Sequence, residues 1–258
     1  MTTVSVIGCG NMGSALIKGL SRSGKYDIIA CDLDASALER VEAYCSKTTT
    51  DSTEAATADV VVVAVKPKYV GDVLDSLDLG PDQTLVTIAA GITTDFVEQR
   101  TDATVVRIMP NLAAETGDMA AAVTWDEVDE DVREMLDDLG EFVEIEEELM
   151  DAATALNGSG PAFVFYLLQA MKEGAVEEGL SPDQAEVLAA QTFKGAAETV
   201  LNSEKSVDEL IDAVCSPNGT TIEGMEVLWD SDVDTSVAEA LAAATDRSKE
   251  LAQNATDE

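Results

Sequence analysis

Residues 4–13 read Val4-Ser5-Val6-Ile7-Gly8-Cys9-Gly10-Asn11-Met12-Gly13, an apolar run that enters a G-x-G-x-x-G turn. The first glycine permits a tight turn, and Gly10 lets the backbone approach a pyrophosphate. Gly13 lets a helix over 14–20 pack on the strand with its N-terminus facing the anion. The motif alone is weak, but its setting strengthens it. A strand-like run precedes it and a helical pattern follows. Asp32 ends a second apolar run, Ile28-Ile29-Ala30-Cys31, about 20 residues on. The alternative is a bare βα turn with no ligand.

Outward from this turn the first half alternates two periods. Apolar, β-branched runs at 4–7, 28–31, 60–65, 85–90 and 105–109 are separated by helical patterns such as 35–44 and 68–77. Continuous apolar strands alternating with helices predict a parallel sheet covered on both faces. Runs at 120–125 and 142–145, flanking a helical segment over 127–139, extend that sheet. Beyond residue 148 the strand signal stops, and helices are expected over 161–179, 182–201, 207–215, 220–229 and 233–252. The fold class is therefore α/β: a Rossmann-type doubly wound parallel sheet over 1–148, then an all-helical domain over 149–258. The helix that begins Pro161-Ala162-Phe163-Val164-Phe165-Tyr166 is apolar nearly all round. Such a helix must be buried, under its own neighbours or, the favoured expectation, in a homodimer.

The 258 residues carry 51 acids, 15 bases and no histidine, a formal charge of −36. That balance argues against nucleic acid and anionic membranes as partners. The acids are dispersed among helix formers rather than gathered in a disordered tail. At molar salt the Debye length is about 3 Å, so such a surface would cease to repel itself. The expectation is a halophilic cytoplasmic protein. Four cysteines, Cys9, Cys31, Cys45 and Cys215, show neither metal-ligand spacing nor disulfide density, so no metal is expected and the compartment reads as reducing. No signal peptide and no membrane-spanning run is visible.

Polar and small residues close several strands on what should be one rim, where open α/β sheets bind ligands. Asp32 is placed to accept hydrogen bonds from a ribose hydroxyl and to repel a 2′-phosphate; with no arginine following, it leans toward NADH. Its alternative role is a helix cap, for which Asp34 is an equal candidate. Ala64-Val65-Lys66-Pro67 offers a lysine for a phosphate, ribose or amide, or simply a solvated helix start. Ile88-Ala89-Ala90-Gly91 suits a flat ring, and Met109-Pro110-Asn111 supplies an amide. In the helical half, Cys215-Ser216-Pro217-Asn218-Gly219-Thr220-Thr221 joins two helices. Its backbone N–H groups at Gly219, Thr220 and Thr221 form either a carboxylate cradle or a plain capping turn.

Taken together, the segments Gly8–Gly13, Ala64–Pro67, Ala89–Gly91, Met109–Asn111, Gly158-Ser159-Gly160-Pro161-Ala162 and Ser216–Thr221 resemble the pyrroline-5-carboxylate reductase family over nearly the full length. The resemblance implies reduction of 1-pyrroline-5-carboxylate to L-proline by NADPH or NADH. It implies cofactor contacts from Ile7, Gly8, Cys9, Gly10, Asn11, Met12, Asp32, Ala64, Val65, Lys66, Pro67, Ile88, Ala89 and Ala90. Ser216, Gly219, Thr220 and Thr221 would bind the substrate carboxylate, with the Thr221 hydroxyl on the ring nitrogen as the catalytic group. Glu204 matches an acidic position near the substrate. The helical domain would bind substrate and form dimers that assemble into decamers.

The sequence departs from the family pattern at three places. Asn218 replaces a glycine, Ala213 stands where many relatives carry a polar residue, and Lys205-Ser206-Val207 lacks a common His-Pro pair. Two rival readings remain. A β-hydroxyacid dehydrogenase would resemble this layout, but its catalytic lysine has no counterpart in 162–171, where Tyr166 is the sole ionisable side chain. A non-catalytic NAD(H) sensor would have no need of a carboxylate cradle at 216–221.

Overall fold

The computed structural model describes residues 1–125, 128 and 130–256; Asp126, Glu127 and Asp129, at the expected start of the 127–139 helix, lie outside it. Among the described residues, one sheet contains β1 (Thr3–Ile7), β2 (Asp27–Cys31), β3 (Lys47–Thr49), β4 (Val60–Val63), β5 (Thr84–Thr87), β6 (Thr104–Met109), β7 (Met119–Thr124) and β8 (Gly140–Glu144). Their order is β3-β2-β1-β4-β5-β6-β7-β8. Neighbours run parallel except β6 and β7, which are antiparallel. The turn of direction follows a 3-10 segment, Leu112–Thr116, that brings the chain back along the edge of β6.

Helices α1 (Asn11–Ser23), α2 (Ala35–Glu39), α3 (Ser52–Ala55), α4 (Val70–Asp75), α5 (Thr94–Glu98) and α6 (Glu130–Asp137) lie between the strands. Two apolar clusters cover the sheet. One joins Val4, Val6, Val60 and Val62 to Leu16 and Leu20 of α1; the other joins Ile7, Val61 and Val63 to Leu74 of α4. Adjacent valines of β4 thus feed opposite clusters, as the two-residue period of a strand requires. This explains why that strand reads as an unbroken apolar run.

After β8 the chain forms α7 (Met150–Ala153), a π-helical turn at Thr154–Gly158, and then α8 (Gly160–Glu177), α9 (Pro182–Leu201), α10 (Val207–Val214), α11 (Thr220–Trp229) and α12 (Val233–Thr256). Two compact units result: Met1–Ser159 with the C-terminal stretch from Ala242, and Gly160–Leu241. Within the first unit the C-terminal stretch is bonded to the sheet side, Ser248 Oγ donating to Asp151 Oδ1 at 2.6 Å.

In the second unit α8 packs along α9, where Ala185 and Ala189 are buried and Lys172 pairs with Glu186. The rest of its apolar surface is open. No residue of α8 is buried, and Phe165, Tyr166, Val187, Leu201, Val227 and Trp229 are each more than half exposed. The neighbours of α8 in its own chain therefore do not cover it.

Candidate functional site

The cofactor-side candidates converge because four strands end level. Cys31, Ile7, Val63 and Thr87 are register partners across β2, β1, β4 and β5. The segments that follow them, Asp32, residues 8–13, 64–67 and 88–91, therefore emerge on one rim. Backbone bonds tie the rim together: Gly8 N–H donates to Cys31 O at 2.8 Å, Ala64 N–H to Ile7 O at 2.8 Å, and Ile88 N–H to Val63 O at 3.3 Å.

Close packing explains the spacing of the turn's glycines. A Cβ at Gly13 would lie 1.8 Å from the Gly8 carbonyl oxygen, so no other residue fits there without moving backbone. At Gly10, by contrast, a built Cβ meets nothing within 4 Å, and the residue is exposed. Helix α1 begins at this open point with no side-chain cap and no acid in its first turn. A helix N-terminus left open in this way accepts an anion, so the residues present fit a dinucleotide pyrophosphate.

Asp32 is not a helix cap. That role belongs to Asp34, whose carboxylate accepts from Ser36 N–H. Instead Asp32 accepts from the Cys9 N–H through Oδ2 at 2.6 Å and from the Asp34 N–H through Oδ1 at 2.9 Å. It thereby fixes the glycine-rich turn to the end of β2 while each oxygen keeps a free lone pair. Cys9 is fully buried beneath the turn, and burial together with the Asp32 charge pushes its thiol up to about 12. It is a packing residue and not a nucleophile. Lys66 stands exposed at the start of the short turn Pro67–Tyr69, beside Ala64 and Val65. Asn111 is buried, and its Oδ1 accepts from Ala113 N–H and, at 3.4 Å, from Ala120 N–H.

The helical unit brings Ser216, Gly219, Thr220 and Thr221 into one turn. Gly219 N–H donates to Ser216 O at 2.9 Å, with Pro217 and Asn218 between them. Asn218 lies at φ 61, the left-handed conformation that a Pro-x turn of this kind demands at its third position. Asparagine tolerates that conformation, so the loop closes despite the missing glycine. Helices α9 and α10 each open with a capping box, Ser181 with Gln184 and Ser206 with Glu209. Helix α11 opens on Gly219, which has no side chain to satisfy its first N–H groups. The turn differs from those of α9 and α10 in leaving its donors without a side-chain cap. Glu204 is not part of the turn; it is exposed on the connection between α9 and α10.

Sequence reading missed one buried charge near the rim. Arg107, in the middle of the apolar strand β6, is 4% exposed and pairs with Glu147 at 2.6 Å. An arginine among valines and isoleucines is itself the signal, because a buried charge requires a partner.

Comparison with known proteins bears on both halves. Residues 147–251 match a family described as pyrroline-5-carboxylate reductase dimerisation, and residues 3–91 match one described as NADP oxidoreductase, coenzyme F420-dependent. A pyrroline-5-carboxylate reductase of Methanosarcina acetivorans is 36% identical, covering 96% of this chain and 97% of that one. A solved pyrroline-5-carboxylate reductase from Coxiella burnetii, 32% identical, superposes with a TM-score of 0.85 over 97% of this chain and 98% of its own. The Plasmodium falciparum pyrroline carboxylate reductase with NADP bound gives the same TM-score at 27% identity, covering 97% and 98% of the two chains.

Proposed function

The chain belongs to the pyrroline-5-carboxylate reductase family, and we propose that it reduces the C=N bond of 1-pyrroline-5-carboxylate to give L-proline. The observation that carries the substrate assignment is the uncapped start of α11 in the Ser216–Thr221 turn. Its N–H groups and three hydroxyls suit a carboxylate without adding charge. The reduced nicotinamide supplies the hydride when bound. Residues 7–12 would hold its pyrophosphate, and 64–67 and 88–90 its nicotinamide end.

A protonated cyclic imine is already electrophilic, so positioning provides most of the rate. Thr221 would orient the ring nitrogen and relay a proton from water, since the chain has no histidine. Glu204 would stand near the substrate. Thr221→Ala is expected to lower kcat about 100-fold with cofactor affinity unchanged. Equal turnover would remove Thr221 from the mechanism.

We infer further that Asp32 favours NADH. Its carboxylate retains lone pairs for a ribose diol and repels a 2′-phosphate. The direct test follows the near-ultraviolet absorbance of NADH and NADPH with 1-pyrroline-5-carboxylate in molar KCl. Faster oxidation of NADH supports this reading, faster oxidation of NADPH overturns the preference, and no oxidation overturns the reaction. The open apolar face of α8 supports a dimer, while the decamer rests on the resemblance alone and is read by sedimentation. The charge of −36 supports a cytoplasm of molar salt; stability equal with and without molar KCl would contradict it.

A further inference from the structure

The turn over 88–91 is held at its start and in its middle, and the chain is anchored again just beyond it. At its start, the buried Thr87 hydroxyl accepts from Ala89 N–H at 3.4 Å. In its middle, Gly91 takes φ +78, and a Cβ there would lie 2.6 Å from the Cα of Ala252. The last helix, within the same compact unit, therefore rests directly on the turn. Three residues beyond it, at the first residue of α5, Thr94 donates its N–H (2.9 Å) and its hydroxyl (2.5 Å) to the two oxygens of Glu147.

Arg107 completes this arrangement. Its Nη1 donates to the same Glu147 oxygen that receives the Thr94 N–H. On the sheet its register partner is Thr87, the residue at the other end of the turn. Its Nε is buried with no partner among the described residues. Arg107 is buried and Glu147 is half-buried, and burying a charge to pair it is a poor way to gain stability, since an apolar side chain would fill the site without desolvating it. What such a pair does well is select one arrangement of the groups around it. Burial pushes the Glu147 carboxyl up, but the Thr94 and Arg107 bonds outweigh it and hold the group below its ordinary value.

We infer that Arg107 and Glu147 are positioning residues for hydride transfer, acting through Thr94 to hold the 88–91 turn against the nicotinamide end of the cofactor. This rests on the reading that residues 88–90 line that ring. It separates the cofactor's two ends. The pyrophosphate and adenosine ends depend on residues 8–13 and Asp32, which the network does not touch.

Calorimetry on the intact protein with NADH and with ADP-ribose tests this directly, because ADP-ribose keeps everything except the nicotinamide. Thr94→Val preserves shape and removes the hydroxyl bond. It should weaken NADH about tenfold, the size of one charge-assisted hydrogen bond, and leave ADP-ribose within about twofold. Thr94→Ser should restore NADH binding. Should Thr94→Val fold poorly, Glu147→Gln is read in the same way.

Unchanged NADH affinity would overturn the inference. So would equal weakening of both ligands, which marks mere damage to the fold. Equal affinity of the parent protein for the two ligands would also overturn it, because the turn would then hold no nicotinamide. None of these readings uses turnover. Failure of the parent to reduce pyrroline-5-carboxylate would count against the proposed reaction and leave this comparison standing.

Discussion

The two units of this chain bury their apolar residues in opposite ways. In the sheet unit the strands and α1 close over Val4, Val6, Leu16, Leu20, Val62 and Leu136, all at 5% exposure or less. In the unit Gly160–Leu241, α8, α10 and α11 bury nothing, and aromatic residues such as Tyr166 and Trp229 face outward. Aromatic surface exposed on this scale marks a site of association. The first unit is a core completed by one chain, and the second is half of a core. The family match over 147–251, described as dimerisation, falls on that second half.

The largest effect should come from attacking the open half. Phe165→Asp with Tyr166→Asp places two charges on the exposed face of α8, and each lost aromatic anchor should cost about 2 kcal/mol or more of association. Sedimentation should then show single chains without reductase activity. A dimer of normal activity would mean that this face is not the interface. Gly13→Ala should be next. A Cβ only 1.8 Å from Gly8 O forces backbone to move and costs about 1–3 kcal/mol of local strain. Calorimetry should find NADH binding weakened while sedimentation finds the dimer intact, since the damage stays in the self-contained unit.

The smallest effect should be visible through pH. Glu147 is held below its ordinary value of 4.5, so its stabilising bonds are present above that value and are lost as pH falls through the depressed one. Parent and Glu147→Gln should differ by about 1 kcal/mol in urea unfolding at pH 7, because the half-buried Glu147 is screened by solvent. The gap should close on acidification below the native carboxyl's value, because the glutamine variant has no proton to gain there. A gap that persists in strong acid would assign the stabilisation to packing and not to the charge.

What the sequence disclosed follows the same division. Strands such as Val60–Val63 were legible because burial on both faces leaves an unbroken apolar run. The glycine turn was legible because its spacing answers to backbone contact. Strand β3, Lys47-Thr48-Thr49, was not, since three polar residues become a strand only by pairing with Ile29–Cys31. The antiparallel return of β7 has no local signature either; its direction is set by the turn through Gly117 that precedes it. The expected 35–44 helix instead breaks into Ala35–Glu39 and a 3-10 turn at Glu42–Tyr44.

At the site, the Ser216–Thr221 turn is local and readable, down to the left-handed Asn218. The Arg107–Glu147 pair spans 40 residues. One partner hides among Glu144, Glu146 and Glu148, where nothing in composition singles out Glu147. Contacts between neighbours in sequence leave local patterns, whereas long-range pairs leave only an oddity at one end, here an arginine in a buried strand.

The most direct test of the division between a complete core and a half core is sedimentation of the parent protein in molar KCl, with reductase activity assayed at the same concentrations. The mass should be that of two chains or a multiple of two, and activity should fall wherever dilution yields single chains. Fully active single chains would contradict it, because the exposed face of the helical unit would then need no second copy.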